Sequence, residues 1–213
     1  MVAELGRASS LLRLNQHSAQ VRASIVTRWE APPAGWIKIN IDGSRNIVTG
    51  LATCGGAGCD SESRWCFGFA KDIGSCSCRE AKLWGIYEGV ATAWSLRYPQ
   101  VLLETDSREA YEIIISSNSH RIGSSILPSI FELMSRAWEV RFAFVRREDN
   151  EVANAMSRLV FPESLEYRRW FEPPLAVRDV FLKEANLVAP RNSVEPVRTH
   201  FPAQRAYDNP GGC

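Results

Sequence analysis

From Trp36 to Asp42 the chain alternates, with Ile37, Ile39 and Ile41 separated by Lys38, Asn40 and Asp42. Period two marks a strand, predicted over 36–42. Runs punctuated by glycine predict two further strands, over 51–59 and 64–70, with Asp60-Ser61-Glu62-Ser63 as the polar hairpin loop between them. The period then lengthens. Leu83, Trp84, Tyr87, Val90, Ala91 and Trp94 recur at helical spacing, which predicts a helix from about Cys78 to Arg97, with Pro99 beyond its end. Trp84, Tyr87 and Trp94 read as core side chains rather than as a platform for stacking bases. A strand is expected over 101–106, then a helix from Ser107, a suitable N-cap, through Ile115. A helix over 123–136, a strand over 140–146 and a helix over 149–160 complete the series. The order βββαβααβα predicts an α/β domain: a mixed five-stranded sheet flanked by helices.

The ends read differently. Residues 1–35 form a leader in which Leu11 to Trp29 is expected to hold a short helix, stopped by Pro32-Pro33. Residues 36–160 form the domain, and 161–213 a C-terminal extension. Seven of the eleven prolines lie between Pro162 and Pro210, and disorder is expected from about Pro190 onward. Before that point the extension is expected to pack back through Trp170, Phe171 and Leu175. The net charge of +1 gives no bulk attraction to a polyanion or a membrane, so nucleic acid would need a local basic patch. No apolar run is long enough for a membrane span, and the first twenty residues hold no secretory h-region. An intracellular protein with no membrane partner is expected. Five of the six cysteines lie between Cys54 and Cys78, without a C-x2-C pair and far from the three histidines. That spacing disfavours zinc and suits reduced, packed thiols.

The chemistry concentrates at a few positions. Asp42-Gly43-Ser44 ends the first strand, and Asp106-Ser107 ends the fourth. Asp42-Gly43 alone suits a turn, and Asp106-Ser107 alone suits the start of a helix. Five fragments in order change the balance: KINIDGS (38–44), GGAG (55–58), AKLWGIYEG (81–89), LETDS (103–107) and REDNEVANAMS (147–157). Together they resemble the plant reverse-transcriptase-like branch of ribonuclease H domains, over roughly residues 36–160. That resemblance implies a ribonuclease H-like fold, descent from a retroelement enzyme, and hydrolysis of RNA–DNA hybrids by two Mg²⁺ ions about 4 Å apart. It also implies four carboxylates. Carried over residue by residue, the first is Asp42 and the third is Asp106. The second falls on Lys82 and the fourth on Asn154.

These two departures bear on activity. Asp42 and Asp106 with Lys82 and Asn154 sum to a formal charge of −1, where four acids would give −4. Lys82 is expected to stand in a cation's place, paired to Asp42 or Asp106. Glu151, one turn before Asn154, is a candidate substitute ligand beside Asp42 and Asp106, while nothing nearby replaces the acid lost at Lys82. Ser44, Arg45 and Asn46, with Arg146, Arg147 and Asn150, are the candidate contacts to a nucleic-acid backbone. Phe144 stands where relatives often carry a histidine. The expectation is a nucleic-acid-binding domain with weak or lost catalysis. The alternatives are a non-catalytic interaction module and a retroelement remnant.

Overall fold

The computed structural model describes residues 24–25, 30–116, 123–159 and 166–186. The strands are β1 (Ser24–Ile25), β2 (Ile37–Arg45), β3 (Leu51–Cys59), β4 (Trp65–Ser75), β5 (Gln100–Thr105), β6 (Glu139–Phe144) and β7 (Tyr167–Trp170). The helices are α1 (Cys78–Ser95), α2 (Arg108–Ile115), α3 (Leu127–Met134), α4 (Glu151–Ser157) and α5 (Leu175–Asn186). One sheet runs in the order β1-β6-β5-β2-β3-β4-β7. The central pairs β2–β3 and β3–β4 are antiparallel, whereas β2–β5 and β5–β6 are parallel. The α/β class and the mixed sheet therefore match the expectation.

The strand count does not: among the described residues the sheet has seven strands, not five. The added edges are β1, parallel to β6, and β7, antiparallel to β4. Neither shows a period-two apolar pattern. β1 is two residues long, and the first three residues of Tyr-Arg-Arg-Trp are exposed, as suits an edge with one bonded neighbour. Ser24–Ile25 is thus extended where a helix was expected, while the remainder of that expected helix lies outside the described residues. So do the segment from Pro190 onward and Cys213.

Two clusters sandwich the sheet. Ile37, Ile39, Ile41, Phe67, Phe69 and Leu103 pack beneath α1, α2 and α3 around Leu83, Ile86, Ile114 and Ile130. On the other face Ala57, Val152, Met156 and Val177 join β3, α4 and α5. The extension packs back through Trp170, Val177 and Phe181. Phe171 and Leu175, expected to contribute, are 59% and 81% exposed, because they precede the buried face of α5. Cys54 and Cys59 are buried free thiols, pushed up by burial, with Cys59 at about 12. Among the described residues no helix is long and apolar enough to cross a membrane.

The helix ends follow local rules. The Ser77 hydroxyl accepts from the Glu80 amide at the start of α1, and the Ser107 hydroxyl accepts from the Ala110 amide at the start of α2. Asp106 is therefore held between the end of β5 and a capped helix.

Candidate active site

Asp42 lies near the end of β2, beside β5, and both flanking layers close in on it. Gly43 faces α1, where an added Cβ would sit 2.3 Å from the Ala81 carbonyl carbon. Asp42 pairs in register with Gly55, where an added Cβ would sit 2.5 Å from backbone atoms of Met156 and Ser157. Two glycines thus let α1 and α4 rest on bare strand backbone. The Thr53 hydroxyl also bonds the Ser157 carbonyl, tying α4 to β3.

The result is a compact ionic centre. Lys82 Nζ donates to Asp42 Oδ1 at 2.6 Å and to Asp106 Oδ1 at 2.9 Å. All three side chains are mostly buried, at 16%, 6% and 5% exposure. Ser157 Oγ donates to the second Asp42 oxygen at 3.3 Å. Burial pushes Asp42 up. The Lys82 charge and hydrogen bond pull it down and Asp106 pushes it up, and the balance lies above the ordinary carboxylate value. Burial pushes Lys82 down, but Asp42 and then Asp106 outweigh that and hold it above its usual value. The ammonium is therefore firmly charged. At such a separation each contact is worth roughly 6 kcal/mol at an effective dielectric of about 20, before desolvation is subtracted.

The same face of β2 carries a second network. Lys38 lies 3.6 Å from Glu104, and Asn40 Nδ2 donates to Glu104 at 3.0 Å and to Asn150 Oδ1 at 3.1 Å. Asn150 Nδ2 in turn donates to the Ile41 carbonyl at 3.1 Å. Glu184, from α5, accepts from the Val152 amide at 3.0 Å and closes the start of α4. Burial raises Glu184 to about 7, against the pull of the Val152 amide and Lys38. Ser157, Glu104 and Glu184 were not singled out as site residues from sequence. The only signal was the polar row Lys38, Asn40, Asp42, which needs partners if both sheet faces are covered.

The other expected site residues divide. Asn154 sits in α4 one turn before Ser157, whose single hydroxyl proton is shared between Asp42 and the Asn154 carbonyl at 3.0 Å. Glu151, the candidate substitute ligand, instead pairs with Lys183 at 2.8 Å, because α5 presents an ammonium beside it. Asn150 is fully buried and joins β2 to α4, so it is no backbone contact for a ligand. Asn46 spends its side-chain oxygen on the Val48 and Thr49 amides, building the β2–β3 turn. Ser44 is half-buried, and Arg45, Arg146 and Arg147 are exposed. Phe144 packs beside Tyr111 with the Arg108 guanidinium over its ring.

Divalent cations take oxygen ligands, several of them anionic. Two carboxylates already sharing an ammonium do not fit a pair of such ions. Among the described residues no group of three or more His, Cys, Asp or Glu is placed to hold a metal.

The fold and this centre define a ribonuclease H-like domain. The chain belongs to the reverse transcriptase-like family, whose pattern it matches over residues 40–160. It is 34% identical over 178 residues to a protein of Arabidopsis thaliana that bears a provisional ribonuclease H name. That match takes in 81% of this chain but spans only 28% of the Arabidopsis protein. Among solved structures, the N-terminal ribonuclease H domain of a Mycobacterium tuberculosis protein superposes with a TM-score of 0.50 at 18% identity. The superposition covers 57% of this chain and 90% of that domain, and at this identity it speaks to the fold.

Proposed function

We propose that this domain binds nucleic acid, with an RNA/DNA hybrid as its first candidate ligand, through a centre in which Lys82 replaces divalent cations. Phosphodiester hydrolysis is weak or lost. The observation that carries this reading is the Lys82 ammonium bridging Asp42 and Asp106 at 2.6 and 2.9 Å. Family membership supports nucleic acid as the ligand class. Exposed Arg45 and Arg147 offer local positive charge to phosphates, which a net charge of +1 does not supply in bulk. The ion pairs hold Asp42 and Asp106 together without metal, which suits binding better than turnover.

The test is a repair. Lys82→Glu with Asn154→Asp takes the formal charge of the four positions from −1 to −4. Full-length wild-type protein is expected to bind a hybrid yet show little Mg²⁺-dependent cleavage. The double variant is expected to bind Mg²⁺ by calorimetry and gain cleavage, and each single variant to gain less, because ligands of one site act as a unit. Wild-type turnover near an ordinary ~1 s⁻¹ would refute the loss of catalysis. Absence of hybrid binding by wild-type protein would leave the fold as a protein-interaction scaffold.

A further inference from the structure

At the opposite end of the sheet from Asp42 lies a cleft of about 540 Å³, between the C-terminal end of α1 and the turn before β6. Pro99 lines it and precedes β5, whereas Asp106 follows β5, so the two sites are roughly 20 Å apart along the strand. The walls are aromatic. Trp94 and Trp138 meet edge to face with centroids 5.2 Å apart, and Tyr98 completes the lining. They are fixed from behind. Trp138 Nε1 donates to the Leu133 carbonyl at 2.8 Å, and the Tyr98 ring stacks on buried Phe67. Trp94 belongs to the apolar pattern of α1 and was expected in the core. It is instead 37% exposed, in the last turn of α1.

Arg97 stands at the mouth. It closes α1 in the left-handed region, φ 60°, while the Tyr98 amide bonds the Ala93 carbonyl and the Arg97 amide bonds the Trp94 carbonyl. Glycine is the ordinary residue there, since a Cβ is strained at positive φ. The chain places an arginine at that point nonetheless, exposed, and no carboxylate among the described residues pairs with it. A second guanidinium, that of Arg169, donates to Ser95 on the cleft wall at 3.2 Å, again without a carboxylate pair among the described residues. Arg136 lies over the Trp94 ring but is already paired with Glu132.

We propose that this cleft binds a nucleotide unit, its base against the Trp94–Trp138–Tyr98 walls and its phosphate on Arg97, with Arg169 alongside. Flat aromatic walls beside guanidinium forks are what stacked bases and phosphates require. A neutral apolar ligand would leave Arg97 unused, and an acidic peptide would leave the ring-lined walls unused; Arg169, which lies over the Phe171 ring at 5.2 Å, is the secondary contact. The volume lies within the range of small-ligand pockets. The site is separate from the Lys82 centre and does not depend on the function proposed for it.

The experiment is a titration of the full-length protein with a fluorescein-labelled ten-nucleotide oligothymidylate, followed by anisotropy. Thymidine monophosphate and a glutamate-rich peptide serve as competitors. The oligonucleotide is expected to bind, and Trp94→Ala and Arg97→Gly each to weaken it by about tenfold or more. Trp94→Phe should recover part of the loss. Arg97→Gly suits the left-handed backbone, so its melting temperature should equal or exceed that of wild type, which keeps a loss of binding distinct from a loss of fold. Competition by the monophosphate at similar concentration identifies a mononucleotide site, and its failure to compete identifies a single strand held by several units. Either result supports the proposal. No binding, binding by Arg97→Gly within twofold of wild type, or equal competition by the glutamate-rich peptide overturns it.

Discussion

Lys38, Asn40 and Asp42 leave one face of β2 while three isoleucines leave the other, and each polar group meets a partner from a distant segment. Burial of a charge is tolerable only when it is paired. Glu184, from α5, accepts from the first turn of α4 beside this row, and burial raises it. Its folded value is about 7 against 4.5 for the free group. As pH rises from 4.5 to 7 the unfolded chain releases this proton before the folded one does. The stability that protonated Glu184 contributes is thus full below 4.5 and lost by about 7. A shift of that size corresponds to roughly 3 kcal/mol. Glu184→Gln cannot ionise and keeps an acceptor for the Val152 amide. The variant is expected to outlast wild type in urea at pH 8 and to approach it at pH 5. Parallel stability curves for the two proteins would count against this account. Asp42, Asp106 and Lys82 were legible from motif order. Ser157 and Glu184 were not, since their partners, Asp42 and the Val152 amide, lie 115 and 32 residues away.

At the scale of elements, the close approach of α1 and α4 to β2 and β3 sets the centre. An alanine at Gly55 would bring its Cβ to 2.5 Å from α4 backbone, which a rotamer change cannot relieve. Gly55→Ala is expected to cost about 1–3 kcal/mol or more by overpacking, and to draw Ser157 away from Asp42. Gly123→Ala, with nothing within 4 Å of the added Cβ, is the matched control and should be close to neutral. Chemical denaturation of both variants tests this; equal stability would mean that α4 retreats without cost. The five central strands and the helices over 78–95, 108–115, 127–134 and 151–157 all match an expected element, although β2 runs three residues past its expected end at Asp42 and β4 five past residue 70. Long periodic segments carry their own signal. The edge strands did not, because β1 and β7 owe their conformation to the backbone groups of β6 and β4 rather than to side-chain alternation. Trp94 shows the opposite failure: its helical spacing is right, but in the last turn of α1 it stays 37% exposed.

For the whole molecule, the question is where the folding unit ends. The family pattern stops at residue 160, yet α5 lies beyond it and is not an appendage. Val177 is fully buried against the Ala57, Val152 and Met156 cluster, Phe181 meets Trp65 edge to face at 5.1 Å, and Glu184 accepts from the Val152 amide. A chain cut after residue 165 loses all three contacts and bares the edge of β4 that β7 covers. Losing the burial of Val177 and part of Phe181 amounts to about 3 kcal/mol. The truncated chain is expected to keep its helical and strand signal in far-ultraviolet circular dichroism, because the larger cluster beneath α1 is untouched. It is also expected to unfold at lower denaturant, to bind a hydrophobic dye through the bared Ala57–Met156 surface, and to self-associate along β4. A truncated chain as stable and as monomeric as the full one would place the boundary at residue 160. The expected loss would place α5 inside the domain, and with it a carboxylate, raised to about 7, that makes the seating of α4 respond to pH.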